Sequence, residues 1–171
     1  MGEFKRPESV LVVVYTPRLE CLLLERVTPR GFWQSVTGTL RWGEELTAAA
    51  VREMREETGL VCVAPAPAVA GVSAPLEEGV HRRQPPLLVQ TDVSNRFPIL
   101  PEWRDRYASG VTENLEHLLY LEVPDTCEVT LNADEHVAYR WMGLEEAIRK
   151  VTSWTNREAL ERLRSTAGDR R

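Results

Sequence analysis

Between Gly38 and Leu60 the chain reads GTLRWGEELTAAAVREMREETGL, with acids at Glu44, Glu45, Glu53, Glu56 and Glu57. On a helix successive residues turn by about 100°, so Glu53, Glu56 and Glu57 share one face at i, i+3 and i+4. Like charges at those spacings repel, by a few tenths of a kcal/mol per pair. A helix built only for solubility more usually alternates its signs. Three carboxylates aimed at one point call for a cation there, and hard oxygen ligands suit Mg²⁺, with Mn²⁺ as a substitute. The competing reading is a solvated acidic face with no ligand at all.

The elements that must hold these acids can be read around them. Ala50, Val51 and Met54 recur at helical spacing on the opposite side and predict packing against a sheet. Gly59 supplies a left-handed stop, and Gly38 and Gly43 bracket a loop before the helix where the backbone is expected to turn sharply. Arg52 and Arg55 lie among the acids, where charge-assisted hydrogen bonds can orient them.

Gly38, five residues, Glu44, seven residues, then Arg52-Glu53-Met54-Arg55-Glu56-Glu57-Thr58-Gly59-Leu60 resembles the Nudix box at each defining position. The resemblance implies a hydrolase of diphosphate linkages that uses a divalent metal. It also implies a catalytic base that is either a box glutamate or an acid from a distant loop.

The bulk composition limits the other possibilities. With 171 residues, 43% of them hydrophobic, the chain can form one domain with a proper core, read here as residues 1–171. A net charge of −5 argues against general affinity for nucleic acid, so a polyanionic substrate must be met locally. Cys21, Cys62 and Cys127 are scattered, with no C-x-x-C pair, so neither a zinc knuckle nor a redox pair is indicated. Lys5-Arg6 before Val10–Tyr15 faintly mimics a signal peptide, but the apolar run is too short and Thr16-Pro17-Arg18 follows it. No stretch approaches the length of a membrane span. The expectation is a cytoplasmic protein, monomeric or weakly homodimeric, with a small-molecule triphosphate as its partner.

In chain order, Ser9–Tyr15 and Cys21–Val27 read as strands joined by a turn at Thr16–Glu20. Phe32-Trp33-Gln34 leads straight into the box, where the aromatics could stack a flat heterocycle and Gln34 read its edge, or the aromatics could simply cover the core. Val61–Ala70 reads as a further strand, Gly71–Pro86 as a loop and Leu87–Val93 as a strand, with Phe97–Pro101 and Trp103–Gly110 irregular. Leu115–Val123 alternates as a strand with Leu115, His117, Leu119, Leu121 and Val123 on one face. Asp125–Ala133 reads as a polar connection with a short extended piece at Glu128–Leu131. Val137–Trp141 is a strand, Leu144–Val151 a short helix, and Thr155-x-x-Glu158 a capping box for a last helix from Asn156 to about Ser165. This order predicts an α+β fold with a mixed β-sheet packed between α-helices.

Metal held by Glu53, Glu56 and Glu57 would neutralise phosphate oxygens and activate a water. Glu135 is the loop acid best placed to take its proton, with His136 as a rival base and Glu56 as the box candidate; Arg52 joins Glu135 and Glu56 as a catalytic candidate. Lys5, Arg6, Arg104 and Arg106 are candidates for triphosphate contacts, or else belong to an exposed basic surface.

Further blocks extend the likeness. Lys5-Arg6-Pro7, Phe32 to Gly38, Arg106-Tyr107-Ala108, Gly110-Val111-Thr112, Glu135-His136 and Ser153 to Arg157 resemble the bacterial dihydroneopterin triphosphate diphosphatases. That resemblance implies release of diphosphate from dihydroneopterin triphosphate, leaving dihydroneopterin monophosphate, a step of folate biosynthesis. It carries metal ligation to Glu53, Glu57 and Glu135, while Glu56 follows from helix geometry and the general Nudix pattern. The alternatives are a pyrophosphohydrolase of dATP or other nucleoside triphosphates and a non-catalytic Nudix-like binding module. Against that family, the stretch from about 71 to 99 is longer and richer in proline, and Arg41-Trp42 stands where small or acidic residues are expected.

Overall fold

The computed structural model describes residues 4–64 and 85–168. Its sheet forms around β1 (Glu8–Tyr15), whose β-branched run is buried on both sides of the pleat. Val10, Val12 and Val14 enter one core layer, and Leu11 and Val13 the other. Alternation along a strand produces this division, and a continuous apolar run is its sequence mark.

The remaining strands are β2 (Glu20–Arg26), β3 (Trp33–Gln34), β4 (Val36–Thr39), β5 (Leu88–Pro98), β6 (Glu113–Glu122) and β7 (His136–Gly143). Along one edge, β1 pairs in parallel with β6 from Glu8 to Tyr15, and β5 lies beyond β6. The other edge forks. Residues Ser9 to Val12 pair with β4, whereas β2 meets β1 only at Tyr15 and Cys21 and carries β3 and β7 on its own edges. The fork opens the sheet beside β4.

Helix α1 (Leu46–Thr58) lays Ala49, Ala50 and Met54 on the Val10/Val12/Val14 side. Helices α2 (Leu144–Lys150) and α3 (Trp154–Gly168) cover the opposite face through Ala147, Ile148, Ala159, Leu160 and Leu163. The result is the expected α+β mixed sheet between helices. Gly59 ends α1 with φ 70° and donates its N–H to Arg55 O at 3.0 Å, the left-handed stop its position predicts.

Several expected elements differ. Of the strand expected over Val61–Ala70, the part through Ala64 makes one isolated bridge, Val63 to Leu87, and the rest lies outside the described residues, as does most of the expected 71–86 loop. β5 runs on to Pro98, since β6 offers partners through Glu113, so Phe97 and Pro98 are strand rather than irregular. A 3₁₀ helix, Pro101–Arg106, replaces the irregular start of the following segment. Glu128–Leu131 forms no strand; Thr130 N–H donates to Thr58 O instead. The expected capping box does not cap α3. Ser153 Oγ accepts the Asn156 N–H at 3.3 Å, Thr155 is buried, and Glu158 pairs with Arg162 at 2.6 Å.

Candidate active site

The acidic face of α1 lies against β4, and Gly38 makes that approach possible. A Cβ on Gly38 would stand 1.9 Å from Glu53 Cδ and 2.2 Å from both Cγ and Oε1. Gly38 sits within a strand, not in a turn, so absence of a side chain rather than backbone freedom is what the position requires. One residue earlier, the Thr37 N–H donates to the Glu57 carboxylate. β4 thereby fixes both buried acids, Glu53 at 8% exposure and Glu57 at 2%.

Arg52 ties the acidic cluster together. Its Nε and Nη2 each reach the Glu44 carboxylate at 2.8 Å, Nη1 reaches Glu53 at 2.6 Å and Glu56 at 3.1 Å, and Nη2 also donates to Thr39 O at 3.1 Å. The bidentate pair holds Glu44 down to about 2, reinforced by the Arg41 N–H on the same carboxylate. Glu53 behaves oppositely. Burial raises it to about 7 against the pull of Arg52, and Glu57 and Glu56 add repulsion. Glu56 remains solvent-accessible, with Arg41 3.4 Å from its other oxygen. Arg55, the second arginine expected to orient the acids, is exposed.

The start of β7 brings two more groups to Glu57. Among the described residues, Glu57, Glu135 and His136 form a set whose ligand atoms lie within 4.8 Å of one another. His136 is buried, with Nε2 3.4 Å from Glu57 Oε2, yet among the described residues neither imidazole nitrogen nor that oxygen has a hydrogen-bond partner. Burial pushes Glu57 upward, His136 and the Thr37 N–H oppose it, and the Glu135 charge adds to the rise. Glu135 is exposed and accepts the Asn132 side-chain N–H at 3.1 Å, while its backbone carbonyl accepts the Val27 N–H. Buried carboxylates left short of donors are costly unless a cation completes them. An oxygen-rich set with orphaned acceptors therefore fits a hard divalent ion.

The expected substrate contacts fall in different surroundings. Trp33 is 6% exposed and packs in the α2/α3 core, with the Lys150 ammonium 4.9 Å from its ring centroid; of the two readings, this is core cover. Gln34 is buried and donates to Thr37 Oγ1 at 3.1 Å, one residue from Gly38. Phe32 is half-buried, with the Arg26 guanidinium 5.9 Å from its ring centroid. Lys5, Arg104 and Arg106 are exposed; the Lys5 N–H donates to Arg106 O at 2.9 Å, which sets those two residues side by side, and Arg104 Nε donates to Ile99 O. Arg6 is taken up by structure: it pairs with Glu8 and donates to Arg41 O and Glu44 O, strapping the first residues over the loop before α1. Trp42 joins the strap by donating its indole N–H to Phe4 O at 2.6 Å.

Asn156, in the first turn of α3, lies in the Ser153–Arg157 block but is not among the site residues expected from sequence. Its Oδ1 accepts the Ser35 N–H at 2.8 Å and its Nδ2 donates to Ser35 Oγ at 2.9 Å, pinning the β3–β4 junction that carries Thr37 and Gly38.

This arrangement also matches known proteins. The description of the NUDIX domain fits residues 5–163. The chain belongs to the Nudix hydrolase family. Dihydroneopterin triphosphate diphosphatase of Escherichia coli is 34% identical over 161 residues, covering 94% of this chain and 93% of that protein. The protein of the same name from Haemophilus influenzae is 30% identical over 163 residues, covering 95% and 90%. The solved structure of the Escherichia coli dihydroneopterin triphosphate pyrophosphohydrolase superposes with a TM-score of 0.73 at 33% identity, over 94% of this chain and 97% of that one. This Nudix chain is a pyrophosphohydrolase, and enzymes of its family generally use a divalent metal, which its acidic set fits. Among its described residues, no helix is long and apolar enough to cross a membrane.

Proposed function

We propose that this enzyme, read as one Nudix domain, hydrolyses dihydroneopterin triphosphate to dihydroneopterin monophosphate and diphosphate with Mg²⁺. The likeness to two proteins of that name over nearly their whole lengths, with all the box acids in place, carries the reading. Glu53, Glu56, Glu57 and Glu135 would hold the metal. Bound there, Mg²⁺ supplies charge neutralisation on the phosphates and acidifies a water.

The protein's own groups do the rest. Arg52 holds Glu53 and Glu56 apart from each other's repulsion and pointing together. The Thr37 N–H holds Glu57, and His136 lies 3.4 Å from its other oxygen. Glu135, exposed and steadied by Asn132, takes the proton of the attacking water as the bond between the first and second phosphates breaks. Lys5 and Arg106, adjacent through their backbones, and Arg104 meet the outer phosphates, whose diphosphate leaves. Phe32 and Gln34 line the approach to β4.

The test compares kcat/KM for dihydroneopterin triphosphate and dATP with Mg²⁺, identifying diphosphate as product. A strong preference for the pterin is expected; equal or better use of dATP would refute the assignment in favour of a nucleotide pyrophosphohydrolase. In the same assay Glu57→Gln and Glu135→Gln each lower kcat at least about a hundredfold while the protein stays folded. Near-normal turnover in either variant would remove that residue from the site.

A further inference from the structure

The sheet face that packs on α3 changes character where the helix begins. Leu11, Val13 and Leu118 lie under Ala159, Leu160 and Leu163. One rung outward, Ser9 stands opposite Glu116 on β6 and opposite Thr39 on β4. Buried polar groups gather here: Ser9, Asn114, Glu116 and Thr155, with Asn114 Nδ2 donating to Ser9 Oγ at 2.7 Å.

Glu116 is the outlier among them. It is 7% exposed, Thr155 hydrogen-bonds to it, and among the described residues Oε1 has no hydrogen-bond partner. No cation is paired with it among the ion pairs of the described residues. A buried carboxylate short of donors is costly, and fold alone does not require one beside Ser9 and Asn114, which already satisfy each other. Burial raises its carboxyl above the usual carboxylate range against the Thr155 hydrogen bond, and donors from a ligand would oppose that rise.

We propose that Glu116 selects the heterocycle of the substrate, accepting paired N–H groups from a 2-amino-4-oxo ring such as a pterin. An ionised carboxylate is acceptor-only and can take two parallel donors at once. The amino group and neighbouring ring N–H of a pterin form that pair. Adenine presents one donor beside one acceptor, so a carboxylate opposes a ring lone pair there. The placement suits a triphosphate as well. Glu116 and Thr39 lie two strand spacings apart, roughly 10 Å, and Thr39 O is held by Arg52 of the acidic cluster. A ligand could thus put its ring on Glu116 and its phosphates beside β4.

This inference rests on the proposed pterin substrate, and the experiment separates the two. Wild type and Glu116→Gln are assayed on dihydroneopterin triphosphate and dATP with Mg²⁺, and their melting temperatures compared. The glutamine keeps the shape and replaces one acceptor by a donor. The expected result is a loss of at least about a hundredfold in kcat/KM for the pterin, with dATP unchanged or improved, because the carboxamide offers adenine a donor for its ring nitrogen and an acceptor for its amino group. Equal change on both substrates, or none on either, with wild type active on the pterin, overturns the role of Glu116 and leaves the substrate assignment intact. A wild type inactive on the pterin overturns both. Should Glu116→Gln fail to fold, Glu116→Asp keeps the charge and withdraws it by one methylene; a rise in KM for the pterin of about tenfold or more, not matched on dATP, is then expected, and parallel changes refute the proposal.

Discussion

Substituting Gly38 by alanine tests the architecture of the site most directly. The added Cβ would meet only Glu53 among its three nearest atoms, at 1.9 to 2.2 Å. Ordinary carbon contact is about 3.5–4 Å, so the Glu53 side chain must retreat by about 1.5 Å. Its backbone conformation adds no strain, because Gly38 is not among the glycines with positive φ. Retreat breaks the 2.6 Å bond to Arg52 and withdraws a proposed metal ligand from its place. A misplacement of about 1 Å at a reacting centre costs on the order of a hundredfold in rate, whereas overpacking costs about 1–3 kcal/mol of stability. Gly38→Ala is therefore expected to lose at least about a hundredfold in kcat, and to need more Mg²⁺ for half-maximal rate, while still melting cooperatively. Gly43→Ala serves as the contrast: at φ 74° with nothing within 4 Å of its Cβ, it should lose stability with far less effect on metal dependence. The decisive comparison is a double-mutant cycle with Glu53→Ala. If Gly38 matters only through Glu53, the double variant is no worse than Glu53→Ala alone. Additive losses would refute the reasoning.

Two other predictions follow from the same geometry. Glu53 is held at about 7 when metal-free, above the ordinary 4.5, so the folded state retains a proton that the unfolded state releases between those values. Stability from this group is full below about pH 4.5 and falls as pH rises toward 7, by at most about 3 kcal/mol. Added Mg²⁺ should consequently raise the melting temperature more at pH 8 than at pH 5.5; an equal shift would show that Glu53 is not protonated in the metal-free protein. Asn156→Ala removes both bonds to Ser35 and strands a buried N–H, which should cost about 2–4 kcal/mol in urea unfolding and lower kcat through the β4 acids; an unchanged midpoint would show that the junction does not depend on it.

The sequence made the acidic helix face readable, because helical spacing alone joins Glu53, Glu56 and Glu57. It also made β1 readable, because a run apolar at every position suits a strand buried on both sides. Close approach is not a local property, so Gly38 looked like a turn residue until Glu53 was seen against it. The aromatic at Trp33 suits a core or a stacking surface equally in sequence, and only the packing of α2 and α3 decides it. Glu116 was hidden for a related reason. In LEHLLYLEV the apolar alternation places it on the face that looks solvent-bound, and the helix covering that face lies about forty residues onward. Arg6 resembled a phosphate ligand because nothing in the chain announces that Arg41 O and Glu44 O will be its acceptors.

The parallel pairing of β1 with β6 joins segments far apart in the chain, as in the Glu8–His117 contact across 109 residues. Glu53 and Glu57 arrive from before that closure, and Glu135 and His136 from after it. A contiguous fragment that holds all the acids proposed to bind metal, residues 53–135, still lacks β1, β2 and β4, and β4 is the strand against which Glu53 and Glu57 are packed. An ion that binds them is bound only by the closed fold, so its binding free energy adds to the stability of every element between β1 and β7. Occupancy of the centre and integrity of the sheet are then two readings of one equilibrium.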